Sequence, residues 1–415
     1  MQHKPSGTSG VAVGPGAAWH ALRTREFGFY FLGNALSASG GWFQNLAGAL
    51  LIYRLTHSAF LLGVLNFSNF IPILVLAPWA GSIADRVDRR RLLLLTQTIA
   101  VGLAGGLALL RWGGAATPAV VIGFALALGV VSAFSAPAQQ ALIVSLVPRE
   151  EVSTAVALNS MTFNLARVLG PALAAVTVTY LGIAAAFALN SLSYLVFVCV
   201  LLLVRPRPQR RATAEESRLR ESFHLLRREP RLVAFLLIVT AVGFASDPVN
   251  TLAPAFAHAF GHRDTVSGAI IGVFGAGAVT AAFLVAGRVV ASRQRMAITL
   301  ALLGSGIVAF SLSPWLPLGL VLLFVAGFGY LASNTAATTQ LQLGVDETQR
   351  GRIMALWSMG FLGLRPVASL LDGAIASVAG VRAAGVVLAV PALAGAAIIW
   401  LVIRRRDRAS AASGT

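Results

Sequence analysis

Two arginines and two aspartates stand where charge is costly. Arg167, Asp247, Arg365 and Asp372 each lie inside a long apolar stretch of the 415-residue chain. A charge at the centre of a bilayer costs roughly 3 kcal/mol or more unless it meets water or a partner. The four therefore point to a wet internal hollow. Its guanidinium groups could hold an anionic substrate group or a carboxylate, and its two aspartates are the candidates for carrying a proton. At about 100° per residue, Ser160, Asn164, Arg167 and Pro171 fall on one narrow helical stripe. Ser358, Arg365, Ser369 and Asp372 make another. Both stripes are expected to line a central cavity; a purely structural polar network is the alternative. Arg365 and Asp372 sit about 10 Å apart along the axis, so contact between them needs a stretched arginine or a bridging water. Asp247 precedes Pro248, Asn250, Thr251 and Pro254. Two prolines free backbone carbonyls and predict an unwound, ligand-binding segment, unless Asp247 lies at a wet outer mouth. Asn34, Gly41, Asn45 and Gly48 share a face with Gln44 beside it, suited to substrate contact or to close helix packing.

Other chemistries find little support. His258 and His262 have i,i+4 spacing but no third ligand, so no metal is expected. No Walker-type glycine loop is present, which excludes ATP-driven pumping. No Ser/His/Asp or Cys/His constellation stands out, and no cofactor or enzymatic activity is expected. The lone Cys199, in an apolar run, reads as filler.

The elements that must position the four charges follow from composition. Of the residues, 57% are apolar and only 11% charged, and the mean hydropathy is +0.79. Roughly 25% charge is usual in soluble domains, so a soluble enzyme, a disordered chain and a nucleic-acid binder are excluded. Apolar runs fall at about 27–53, 59–83, 91–112, 117–141, 155–180 and 182–204, and again at about 232–258, 266–290, 296–314, 316–341, 352–379 and 383–403. These predict an all-α membrane protein of twelve transmembrane helices in two six-helix bundles, 23–204 and 232–403. Flanking them are a flexible tail (1–22), a linker (205–231) and a basic tail (404–415). Within the linker, Thr213 and Glu216 have capping-box spacing and Leu219, Phe223 and Leu226 suit a surface-lying amphipathic helix. Of the 32 Lys and Arg, only Arg54, Arg111, Arg263 and Arg382 fall in loops opposite the termini, and only Arg167 and Arg365 within spans. The positive-inside rule then places both termini in the cytoplasm of a cell (inner) membrane protein.

The halves repeat each other. Leu158, Ser160, Met161, Phe163 and Arg167 match Leu356, Ser358, Met359, Phe361 and Arg365 at one constant offset. The loop Gly81–Arg91 has a worn counterpart at Gly287–Arg295, with Ala291 where the first carries Asp85. Parallel repeats suit a transporter that rocks about a central site. In the first loop, Gly81 would let helix ends approach closely. Asp85, Arg86, Arg89 and Arg90 would form a cytoplasmic latch, with Asp85 capping a neighbouring helix.

That loop, Gly81 through Arg90, resembles the cytoplasmic signature G-x-x-x-D-R-x-x-R-R of the major facilitator superfamily, with Asp88 at a usual glycine. Further stretches resemble its transmembrane secretion effector branch: Gly41-Trp-Phe-Gln44, Tyr53-Arg-Leu-Thr-His-Ser58, Ala136-Pro-Ala-Gln139, Asn164-Leu-Ala-Arg167-Val-Leu-Gly170-Pro171 and Arg350-Gly-Arg-Ile-Met354. Ala166–Ala175 is similar to the fifth-helix antiporter signature, keeping Gly170 and Pro171 as a packing motif while Ala166, Ala174 and Ala175 replace other glycines. The fourth-helix arginine common in drug:proton antiporters is missing from 117–141. The resemblance implies a monomeric transporter in the lipid bilayer, exporting siderophore- or drug-like amphipathic small molecules and driven by a proton gradient. Import, lysophospholipid flipping, or a non-transporting receptor or accessory subunit are the competing readings.

Overall fold

In the computed structural model, which describes residues 19, 20, 22–206, 229–285, 292–345 and 350–413, every described element is helical. The first half comprises α1 (Arg25–Thr56), α2 (Ala59–Arg86), α3 (Arg89–Trp112), α4 (Pro118–Leu146), α5 (Val152–Tyr180) and α6 (Ile183–Leu203). The second comprises α7a (Pro230–Thr251) with α7b (Ala253–Ala259), α8 (Ser267–Val285) and α9 (Arg293–Leu312). It closes with α10 (Leu316–Leu343), α11a (Arg350–Ser358) with α11b (Arg365–Ala379), and α12 (Val381–Ser413). Most of the linker, the repeat of the basic loop at 286–291 and the first eighteen residues lie outside the described residues.

Among the described residues, eleven helices are long and apolar enough to cross a membrane. The other long helix is α1, 32 residues, which carries Asn34, Ser37 and Gln44 on its buried face. Large apolar side chains such as Phe283 and Leu109 stand 75% and 67% exposed, as a lipid-facing surface requires. Exposed Trp112, Tyr180 and Trp315 mark the helix ends away from the termini, and Trp79 the opposite ends, the interfacial placement that amphipathic rings favour. The chain is a multi-pass membrane protein.

Local sequence explains where helices begin and break. Ser58, Asp88, Thr117 and Ser292 each accept a hydrogen bond from the backbone N–H three residues on, as N-caps do. Asp88, the departure from the loop signature, is thus the cap of α3. The seventh span breaks only at Leu252, between Pro248 and Pro254, and resumes at once. The eleventh, read from sequence as one helix, passes through a π-helical turn at Met359–Gly363, a feature often found beside functional sites.

Without water between them, membrane helices associate through backbone approach and buried polar bonds. A Cβ at Gly33 would lie 3.0 Å from Phe197 and from Val200, and one at Gly40 would strike Asn190 and Ser193, so α1 seats on α6 through these two glycines. Gly41 and Gly48 are not the packing pair: their nearest neighbours would be 3.9 and 3.7 Å away. Gly170 seats α5 on α1, where a Cβ would meet Trp42 Cβ at 2.7 Å and the Ser39 carbonyl at 2.8 Å.

The halves meet along two seams on the side away from the termini. In one, Gly63 of α2 packs against Ser369 and Gly373 of α11b; in the other, Gly268 of α8 packs against Pro171 and Ala175 of α5. Pro171 and Ser369, like Ala175 and Gly373, are related by the same offset as Arg167 and Arg365, so the repeat seen in sequence is a repeat in contacts. Beyond the seams, Arg54 at the end of α1 reaches Asp264 with two bonds, 2.5 and 3.2 Å. Tyr53, His57 and His258 cluster beside it, the two imidazoles 6.1 Å apart. Toward the termini, α4 packs on α2 and α3 and α10 on α8 and α9. Among the described residues no comparable seam joins α4 or α10 to the opposite half. Among the described residues, the glycine seams and the Arg54–Asp264 pair clasp the bundle on the far side.

Candidate substrate site

The four membrane charges converge, though not in the pairing their spacing suggested. Arg365 opens α11b directly after the π turn. Its Nε donates to Asp247 Oδ1 of α7a at 3.2 Å, not to Asp372. Seven residues of helix separate Arg365 from Asp372, whereas α7a runs alongside, so the inter-helix partner wins. Ser369 and Thr251 each donate to Asp247 Oδ2 at 2.8 Å, completing the shell of a carboxylate that is only 1% exposed. Asp247 is therefore buried at the centre of its half and not at a wet mouth.

Asp372 is fully buried and no donor reaches either of its oxygens. Its charged neighbour is the carboxyl of Asp247, itself an acceptor. Two carboxylates buried side by side repel each other when both are ionised.

Across the cleft, Arg167 Nη1 donates to the Tyr330 hydroxyl of α10. Its guanidinium carbon lies 4.7 Å from the Tyr330 ring centre and 5.4 Å from that of Trp42. Arg365 lies 5.6 Å from the same Trp42 ring and 4.3 Å from Phe70. These are cation–π distances, and they put the two repeat-related arginines on one indole. Gly170 makes this possible, because it brings α5 against the backbone on either side of Trp42. Arg365 Nη2 is buried without an acceptor, and Arg167 has no carboxylate partner among the described residues.

The remaining residues read as site candidates divide differently. Asn34 donates to Asn159 at 2.8 Å, and Gln44 accepts from Asn190, so both tie α1 to its own half. Asn45 is half-buried. Nothing is described of the Ser160 and Asn164 side chains, nor of Asp85. In the basic loop, Arg90 donates twice, at 2.6 Å, to the Leu201 and Leu202 carbonyls at the end of α6. Arg89 reaches the Ala141 carbonyl at 3.4 Å, and Arg86 is exposed. Gly81, read as a point of close helix approach, has nothing within 4 Å of a Cβ position. Among the described residues, no helix end approaches it closely. Among the described residues no cluster of three His, Cys, Asp or Glu could hold a metal. Sequence reading passed over Tyr330 and Phe70. Tyr330 is the single tyrosine of its span, the one signal that marked it.

Two six-helix halves related by a repeat, seamed at one end around paired charges, define the transporter fold of the major facilitator superfamily. Solved structures agree. A bacterial homologue of the human lysosomal transporter Spinster, inward-facing and occupied, superposes with a TM-score of 0.74 at 15% identity over 92% of this chain and 97% of that one. A D-xylose–proton symporter gives 0.70 at 15% identity, over 91% and 98%. Within that class the chain belongs to the transmembrane secretion effector family, whose model matches residues 16–414. This is a family of transporters and not of enzymes. Similar characterised proteins include the staphyloferrin A transporter of Staphylococcus aureus, 31% identical over 42% of this chain, and the enterobactin exporter EntS of Shigella boydii, 28% identical over 79%. The first match spans 44% of that relative and the second 80%. Macrolide efflux protein A of Streptococcus pyogenes is 23% identical over 55% of this chain and 58% of its own length.

Proposed function

We propose that this protein is a secondary transporter that exports siderophore- or drug-like amphipathic molecules from the cytoplasm in exchange for protons. It works as a monomer in the inner membrane with both termini cytoplasmic and no bound cofactor. The observation that carries this reading is the Asp247–Asp372 pair, buried beside Arg365 and at the root of a seam between the halves. Asp372 adjoins Gly373, where α11b packs on α2. With a proton, the two carboxyls hold together and the far side stays clasped. Without it, two like charges a few ångströms apart push on α11b and load the seam toward opening. A proton gained from outside is thereby delivered inward, and the deprotonated carrier returns outward with substrate, the order an exporter needs. The names of the staphyloferrin A, enterobactin and macrolide relatives support the substrate class.

The test is uptake of siderophores and amphipathic dyes into inverted vesicles carrying the purified protein, with an imposed pH gradient. Acid-inside vesicles should accumulate substrate, and Asp372→Asn should remove the dependence on the gradient while leaving downhill exchange. Uptake no faster than in protein-free vesicles would refute transport. Gradient dependence that survives in both Asp372→Asn and Asp247→Asn would refute the assigned proton carriers.

A further inference from the structure

Among the described residues, one of the two membrane arginines has no carboxylate partner. Asp247 is committed to Arg365, Ser369 and Thr251. Asp372 pairs with neither arginine among the described residues. Among the described residues, Arg167 contacts the Tyr330 hydroxyl and the ring faces of Tyr330 and Trp42. The guanidinium of Arg365 adds a buried N–H pair at Nη2 with nothing to receive it. A buried donor left unpaired costs on the order of 1–3 kcal/mol, and two like charges near one indole add repulsion. An oxyanion between the arginines would cancel both costs at once, and the guanidinium fork is shaped for such a group. The surfaces around the two guanidinium groups are flat and aromatic: Trp42 is shared by both, Phe70 lies against Arg365 and Tyr330 against Arg167.

We propose that Arg167 and Arg365 clamp an oxyanion of the transported molecule, whose planar apolar body lies along Trp42. This rests on the reading of the cavity as a transport site and narrows it: of the amphipathic classes considered, the anions are substrates and the cations are not. The membrane potential then assists export. An anion leaving a negatively charged interior gains roughly 2.3 kcal/mol per charge for each 100 mV.

Equilibrium binding to the purified full-length protein, measured by titration calorimetry without a gradient, tests the clamp separately from transport. The probes are 2-naphthoate, 2-naphthyl phosphate, neutral 2-naphthamide and the 2-naphthylmethylammonium cation. Either oxyanion should bind about 10- to 100-fold tighter than the amide, the worth of one or two charge-assisted hydrogen bonds, and the cation more weakly still. Preference for the phosphate would point to a phosphorylated substrate such as a lysolipid, and preference for the carboxylate to a carboxylic acid. Arg167→Gln should erase most of the advantage without changing amide binding, and Arg167→Lys should retain part of it; thermal unfolding of each variant reports its fold. The wild-type series decides even if Arg167→Gln fails to fold. Amide or cation binding as tight as naphthoate would overturn the clamp, even with dye export intact. So would an unchanged oxyanion preference in a folded Arg167→Gln. Absence of transport in vesicles that still bind naphthoate would instead refute the exporter.

Discussion

At the residue scale, a buried ion pair is easier to break than to replace. Removing Asp247 strands Arg365, whose side chain is only 13% exposed, in an apolar shell. Breaking one partner of such a pair costs about 3–5 kcal/mol, whereas replacing both with packed apolar groups is far cheaper. Asp247→Ala should therefore lower the thermal unfolding temperature sharply, and the double variant Asp247→Ala/Arg365→Met should recover most of the loss in the same melting assay. The four charges were legible in the sequence because charge inside an apolar run has few cheap explanations. Their pairing was not. Stripe arithmetic places residues on a face of one helix, and it carries no information about which neighbouring helix supplies the partner. Asn34 and Gln44 show the reverse failure: amides inside a span read equally as substrate contacts or as interhelical ties, and here they are ties.

At the element scale, glycine meant different things at different places. Gly170 is fixed by backbone contact, so Gly170→Val should overpack the α1–α5 interface, cost at least about 1–3 kcal/mol, and depress the yield of folded protein in size-exclusion profiles. Gly81→Val meets open space and should leave the melting temperature within a degree or two of wild type. It should nonetheless slow vesicle transport if the halves close around that loop during the cycle; unchanged transport would mean the loop is only a basic, membrane-orienting turn. Helix borders followed from caps and prolines that are local in sequence. The π turn before Arg365 did not, because an extra residue per turn is stabilised by what surrounds it and leaves no mark in apolar periodicity.

At the scale of the molecule, closure of the far side combines the two glycine seams with the Arg54–Asp264 pair. A half-exposed ion pair is worth about 1 kcal/mol, enough to shift an open–closed balance by about fivefold. Arg54→Asp should lengthen the distance between spin labels at the ends of α1 and α7b, in a Cys199→Ser background, and Arg54→Asp/Asp264→Arg should bring it back. Nothing in the sequence tied Arg54 to Asp264, because the contact crosses between halves and exists on one side of the transport cycle. The six-plus-six architecture, by contrast, was fully readable, since span length and the placement of basic loops are set by the bilayer itself.

The seams have a mechanical meaning of their own. Gly63 against Gly373 and Gly268 against Ala175 are close approaches between small residues. None of these four residues has a side-chain rotamer to change when the faces roll or part. The friction in this machine therefore sits at its clasp, not at its bearings. Turnover should respond steeply to changes at the arginine–aspartate catch and its two neighbouring histidines, and only mildly to polishing of the glycine tracks.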